Sequence, residues 1–85
     1  MWTIVLEDEF SRDYRHLHSE IQKRVDDGIN YLQNALDPAK CGEPKKGRWK
    51  GFRSYEIGRQ YRMLYKVDQN EKALIFARVG LHSIY

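Results

Sequence analysis

The sequence predicts an α+β fold of order β-α-α-β-β-β, with two helices on one face of a small, twisted, mainly antiparallel sheet. Two observations carry this. Apolar residues recur at three- and four-residue steps through the first half of the chain, as a helix face requires. From Lys50 onward the period falls to two, as in strands whose side chains alternate between faces.

Residues 2–6 form a short apolar run closed by Glu7-Asp8-Glu9, a first strand. Phe10, Tyr14 and Leu17 follow at helical spacing. Ser19-Glu20-Ile21-Gln22 has the form of a capping box, in which the serine oxygen and the glutamine side chain satisfy free amides. Ile21, Val25, Ile29, Leu32 and Leu36 then lie along one stripe of a second helix. Leu17 to Ile21 is also a step of four, so one bent rod is the alternative to two helices. Asp37-Pro38 stops the helix.

Residues 39–47 read as a loop rich in Lys, Gly and Pro. A strand is expected over 52–57, a turn at Gly58-Arg59-Gln60 and a second strand over 61–67. That strand places Tyr61, Met63, Tyr65 and Val67 on one face and Arg62, Leu64 and Lys66 on the other. After the turn Asp68-Gln69-Asn70-Glu71, residues 72–79 are nearly all apolar, as in an interior strand covered on both faces. Gly80 ends that strand and residues 81–85 are a tail. Two helices cover one face, so the face of Arg62 and Lys66 is expected to stay bare.

A length of 85 residues, 41% of them hydrophobic and 13% aromatic, fits one globular domain over 1–85. No apolar run approaches the roughly 20 residues of a membrane span, and the opening residues lack a signal peptide's basic start and cleavage site. A single cysteine, Cys41, leaves no internal disulfide, and a reducing cytoplasm is the expected location. The net charge of +3 is unevenly spread. Residues 1–39 carry four basic and eight acidic side chains, whereas residues 40–66 carry nine basic against Glu43 and Glu56. That second segment suits a phosphate-rich or acidic partner. His16 and His18, two apart on a helix, face different sides and cannot chelate one metal. No Gly-rich phosphate loop, metal cluster or Ser-His-Asp set occurs, and neither metal nor cofactor is expected.

The stretch KGFRSYEIGRQYRMLYKV, followed by ARVGLHSIY, resembles the RelE/ParE superfamily of bacterial and archaeal toxin–antitoxin toxins. Their pattern is a Gly-aromatic-basic strand, a YR-x-x-Y strand, an apolar strand and a Gly-x-His or Gly-x-Arg end. Element order and length also agree, so the resemblance covers the whole chain, with QYRMLY and VGLHSIY its specific part. It implies a RelE-like, microbial-ribonuclease-type fold. RelE-, YoeB- and YafQ-like members cut messenger RNA, generally on the ribosome and without metal; ParE-like members poison DNA gyrase. The resemblance thus implies a type II toxin that is an mRNA interferase. Its implied partners are a cognate antitoxin, messenger RNA and the ribosome, with no membrane and no small-molecule cofactor.

The RNA cutters place an arginine where Arg62 stands and a basic residue near Arg53. They end in His or Arg followed by an aromatic, matched here by His82 and Tyr85. YoeB-like members carry a glutamate before a proline at the spacing that Glu43-Pro44 keeps from Arg62. There are two departures. The lysine pair of RelE itself becomes Arg53 and Tyr55, and the spacing from His82 to Tyr85 fits no one subgroup. The acid and base assignment stays open.

RNA is cut without a metal when its own 2′-hydroxyl attacks the adjacent phosphate. That needs a base for the hydroxyl, an acid for the leaving 5′-oxygen and fixed positive charge for the phosphorane. Arg62, planar and always protonated, suits a bidentate phosphate contact. His82 is of the one side-chain type that titrates near neutrality unaided. Tyr85 has three readings: base stacking, proton transfer, or a C-terminal core anchor. Glu43 is a general base or a solvated loop carboxylate. Lys46, Arg48, Lys50 and Arg53 read as contacts to the RNA backbone. Trp49 either stacks on a nucleotide or seals the core edge. Two other readings remain: a gyrase-poisoning protein, which needs no acid–base pair, and a non-catalytic RNA-binding homologue, which the basic face alone would satisfy.

Overall fold

The computed structural model describes residues 1–84. The chain runs β1 (Thr3–Leu6), α1 (Asp8–Arg15), α2 (Ser19–Asn34), β2 (Glu43–Pro44), β3 (Arg53–Glu56), β4 (Tyr61–Asp68) and β5 (Ala73–Leu81). Single 3₁₀ turns lie at Pro38–Lys40, Gly47–Trp49 and His82–Ile84. The strands form one sheet in the order β1-β5-β4-β3-β2. β1 runs parallel to β5, and the other pairs are antiparallel. The predicted α+β class and element order hold, with β2 as an additional short edge strand.

α1 is one of two separate helices, not half of a bent rod. Asp8 and Glu9 in its first turn and Arg12 and Arg15 in its last complement the helix dipole. Phe10 is its buried residue. The capping box does not form: the chain enters α2 through an extended His18, and Ser19 is already helical with no side-chain cap. Gln22 instead donates to the Tyr14 carbonyl at 2.9 Å, tying the end of α1 to α2. α2 also stops earlier than its apolar stripe suggests. Ala35 turns extended, and Leu36 is fully exposed rather than on the core stripe. Asp37-Pro38 starts its own 3₁₀ turn, with Asp37 Oδ1 accepting from the Ala39 N–H at 3.1 Å.

Phe10, Val25 and Leu32 from the helices meet Met63, Tyr65, Leu74, Phe76 and Val79 from one face of the sheet. Each such fully buried side chain contributes about 1.5–3 kcal/mol of transfer free energy. α2 approaches the sheet closely because Gly28 has no side chain; a Cβ there would lie 2.9 Å from Met63 Cε. On β4, Tyr61, Met63, Tyr65 and Val67 share the core face as the alternation predicts.

β5 is an interior strand but continues through Gly80 to Leu81, because backbone pairing with Tyr61 and Arg62 persists. It also carries a bulge. Leu64 pairs with Arg78 and Tyr65 with Phe76, leaving Ala77 unopposed. The extra residue lets Phe76 and Val79, three apart, both reach the core.

The face without helices is less bare than predicted. Leu64 points to it and is fully buried. The segment before β3 folds across it: the Lys66 ammonium lies 5.3 Å from the centre of the Phe52 ring, and Trp49 meets Phe52 edge-on at 5.3 Å.

Candidate functional site

Arg62 is on β4, and its register partner across β3 is Glu56. The three-residue turn between Ile57 and Tyr61 imposes that pairing, closed by the Ile57 N–H donating to the Tyr61 carbonyl at 3.1 Å. Cross-strand partners share a face, so Arg62, Glu56, Ser54 and Leu64 all lie on the helix-free side. On the other flank Arg62 faces Gly80 of β5, which puts no side chain beside the guanidinium.

The guanidinium is sunk into the sheet, with 13% of its side chain exposed. Nη1 donates to Ser54 Oγ at 3.4 Å and Nη2 to Glu56 Oε1 at 3.3 Å. Nε is buried with no hydrogen-bond partner among the described residues. A charged donor buried and unspent is costly in a purely structural role.

Glu43 reaches the same face. β2 pairs with β3 so that Glu43 stands opposite Ser54, and both therefore point to the side of Arg62. Glu43, Gly42, Ser54, Tyr55 and Glu56 line a depression of about 350 Å³. β2 is placed by what surrounds it. Gly42 takes a φ of +66°, and a Cβ there would meet the Ser54 carbonyl oxygen at 2.5 Å. Tyr65 Oη lies 2.9 Å from the Pro38 carbonyl and 2.8 Å from that of Cys41, donating its one proton between them.

His82 begins the last 3₁₀ turn, one residue beyond β5, and is exposed. Its N–H donates to the Gln60 carbonyl at 2.6 Å, which fixes it two residues along from the Arg62–Gly80 pair. Arg59, Gln60, Leu81, His82 and Ser83 line a second depression of about 500 Å³. Arg62 thus stands on the strand between Glu43 and His82. Glu43 lies two strands away and His82 just past the end of the neighbouring strand, and Arg62 is not among the residues that line either depression. Tyr85 lies outside the described residues.

Arg53 does not join this group. Its register partner is Tyr65, so it projects on the helix side of the sheet. There its Nε donates to the Cys41 carbonyl at 2.6 Å and Nη2 to that of Gly42 at 3.2 Å. It braces β2 from behind instead of presenting charge to the site. Lys46, Arg48, Trp49 and Lys50 sit on the β2–β3 connection, closed by the Lys45 N–H donating to the Phe52 carbonyl at 2.9 Å. The three cations are exposed and Trp49 is half-buried. Arg48 lies 5.5 Å from the centre of the Trp49 ring, so the cations of this connection are interleaved with aromatics.

Ser54 and Glu56 were not singled out by charge or motif. Ser54 is a buried polar residue beneath the guanidinium, and Glu56 is a carboxylate in contact with Arg62. Counting outward from the Gly58-Arg59-Gln60 turn would have placed Glu56 opposite Arg62.

A β-α-α-β-β-β-type sheet with an arginine sunk in its helix-free face agrees with the layout expected of the RelE/ParE class. The family model for the ParE toxin of type II toxin–antitoxin systems, parDE, matches residues 4–84, and the chain belongs to that family. The fold is similar to the toxin–antitoxin complex RelBE2 from Mycobacterium tuberculosis, with a TM-score of 0.76 and 23% identity over 96% of this chain and 92% of that one. The YoeB–YefM complex from Staphylococcus aureus gives a TM-score of 0.75 and 18% identity, covering 96% and 98%. The isolated RelE toxin of E. coli gives 0.73 and 13%, covering 95% and 84%. At these identities the likeness is one of fold. No curated protein shows significant sequence similarity to the chain.

Proposed function

We propose that this toxin is an endoribonuclease that cuts messenger RNA on the ribosome and so inhibits translation. The observation that carries the reading is Arg62, a guanidinium sunk in the helix-free face whose Nε is buried with no hydrogen-bond partner among the described residues. In the proposed reaction the 2′-oxygen forms a bond to the adjacent phosphorus and the bond from phosphorus to the 5′-oxygen breaks. The products are a 2′,3′-cyclic phosphate and a 5′-hydroxyl. In-line displacement puts the attacking and leaving oxygens on opposite sides of phosphorus, so base and acid must flank the phosphate. Glu43 and His82 are the proposed pair for these two roles, and Arg62 would offset the negative charge that the phosphorane develops. Tyr85 remains a further proposed participant. Lys46, Arg48, Lys50 and Trp49 would hold the strand's backbone and stack its bases without reading sequence. Purified toxin incubated with translating ribosomes, followed by primer extension, is the test: cuts within codons support the reading and intact message sinks it.

The family description favours a second reading, a gyrase inhibitor of the ParE type, which acts by binding alone. Induction in growing cells separates the two. Message cleavage belongs to the first, and a DNA-damage response without cleavage to the second.

We also propose a cognate antitoxin as partner, since the RelBE2 and YoeB–YefM structures are of toxin–antitoxin complexes. An acidic antitoxin segment suits the face carrying Arg48, Arg62 and Lys66. Its association should weaken with salt, as exposed charges are screened beyond about 10 Å at 0.1 M.

A further inference from the structure

The proposed mechanism gives no task to Glu56, although it is the group that Arg62 holds. The pair has the features of a contact that can be exchanged. Arg62 Nη2 and Glu56 Oε1 are 3.3 Å apart, longer than the roughly 2.7–2.9 Å of a well-made charge-assisted bond. The two ends differ in burial: Arg62 is 13% exposed and anchored by its strand, whereas Glu56 is 61% exposed and free to swing into solvent. The carboxylate engages one terminal nitrogen and leaves Nε buried without a partner among the described residues. With Glu56 swung aside, a tetrahedral oxyanion with two of its oxygens in the plane of the guanidinium could take Nε and Nη2 together, which Glu56 does not.

From these features we infer that Glu56 is a displaceable latch on Arg62, a resident carboxylate that occupies the guanidinium until a phosphate group takes its place. Glu56 then sets specificity. A weak or singly held anion does not repay loss of the ion pair, whereas a phosphodiester also gripped by the Arg48 and Lys50 connection does. This deepens the reading of Arg62 as the phosphate-binding group and rests on it, but it does not require that any RNA be cut.

Inorganic phosphate is the probe. It is titrated at fixed ionic strength into isotope-labelled wild-type toxin, Glu56→Gln, Glu56→Ala and the double variant Glu56→Gln/Arg62→Ala, with binding read at the Arg62 Nε–H signal and the Ser54 amide. Losing a partly exposed ion pair should tighten phosphate about two- to fivefold in both Glu56 single variants. The double variant should show no such gain, because the effect passes through Arg62. A gain that persists without Arg62 makes Glu56 a generic surface charge and overturns the latch. Unchanged or weaker affinity in the single variants overturns it too, as does an Arg62 signal that phosphate never moves. If Glu56→Gln tightens phosphate while neither it nor wild type cuts message on ribosomes, the nuclease reading fails and the latch stands.

Discussion

Asp13 and Arg78 complete the part of β5 that β1 does not reach. β1 pairs with β5 only as far as Phe76. Beyond it, Asp13 Oδ2 accepts from Arg78 Nε at 2.8 Å and from the Val79 N–H at 3.1 Å, and Oδ1 accepts from Arg78 Nη2 at 3.1 Å. One carboxylate on α1 thus does what a longer edge strand would do.

Asp13→Ala should therefore destabilise the fold by about 2–4 kcal/mol, since it leaves both a half-buried guanidinium and a strand amide without this acceptor. Urea midpoints at neutral pH measure it. A loss under about 0.5 kcal/mol, the size of an ordinary surface change, would show that the contact is incidental.

Arg62→Ala should lower message cleavage roughly a hundred- to thousandfold, the usual cost of one donor to transition-state charge. Arg62→Lys should recover little, because an ammonium lacks the planar fork. Single-turnover cleavage by folded variants decides this; growth arrest by a folded Arg62→Ala toxin would remove Arg62 from the mechanism.

His82→Gln should lose about 10²–10⁴-fold in cleavage while keeping RNA affinity, since an amide can donate a hydrogen bond but cannot exchange a proton usefully. Binding to an uncleavable 2′-deoxy oligonucleotide supplies the second readout. If His82→Gln cuts at the wild-type rate, the catalytic proton belongs to another residue, and Glu43 is the next to replace.

Gly42→Ala should cost about 1–3 kcal/mol, because the residue needs a positive φ and its Cβ would run into the Ser54 carbonyl. Cleavage should fall further than stability alone accounts for, as Glu43 is the next residue. Comparing denaturation with activity at a temperature where the variant is fully folded tests the coupling.

Tyr65 provides a pH dependence. Burial pushes its phenol from about 10 up to about 12, with the neighbouring Cys41 adding to the rise and Arg53 opposing it. The folded chain holds this proton over a range where the unfolded chain has released it. The contribution is thus fully present below pH 10 and lost as pH rises through about 12, some 3 kcal/mol in all. Tyr14 and Tyr55 are raised as well, so the difference between wild type and Tyr65→Phe across pH 9 to 12 isolates the contribution of Tyr65. Parallel curves for the two proteins would disprove the assignment.

Arg62 and its strand were legible because alternation is a local property, and so was the core face of β4. The faces of the arginines were not legible from charge. Counting cations along residues 40–66 grouped Arg53 with Arg62, although their register partners, Tyr65 and Glu56, put them on opposite sides. β2 left no trace because two residues have no period, and the carbonyls that Arg53 and Tyr65 seize are contributed from far away in sequence. The bulge at Ala77 was equally silent, since a nearly all-apolar strand gives little alternation to break. Ser19 had the composition of a cap but not the backbone, because the chain had already turned extended at His18.

The bracing of β2 divides the molecule into parts of unequal tenacity. The strand bearing Glu43 has two residues in register with β3, and it is further held by the Lys45 N–H on the Phe52 carbonyl and by Tyr65 and Arg53 gripping the Cys41 and Gly42 carbonyls. Such an edge opens at a free energy well below that of the central β4–β5 pair. Hydrogen exchange should find the Lys45 amide unprotected long before those of β4. On warming, the toxin would then disarm reversibly through this edge while its core stays intact.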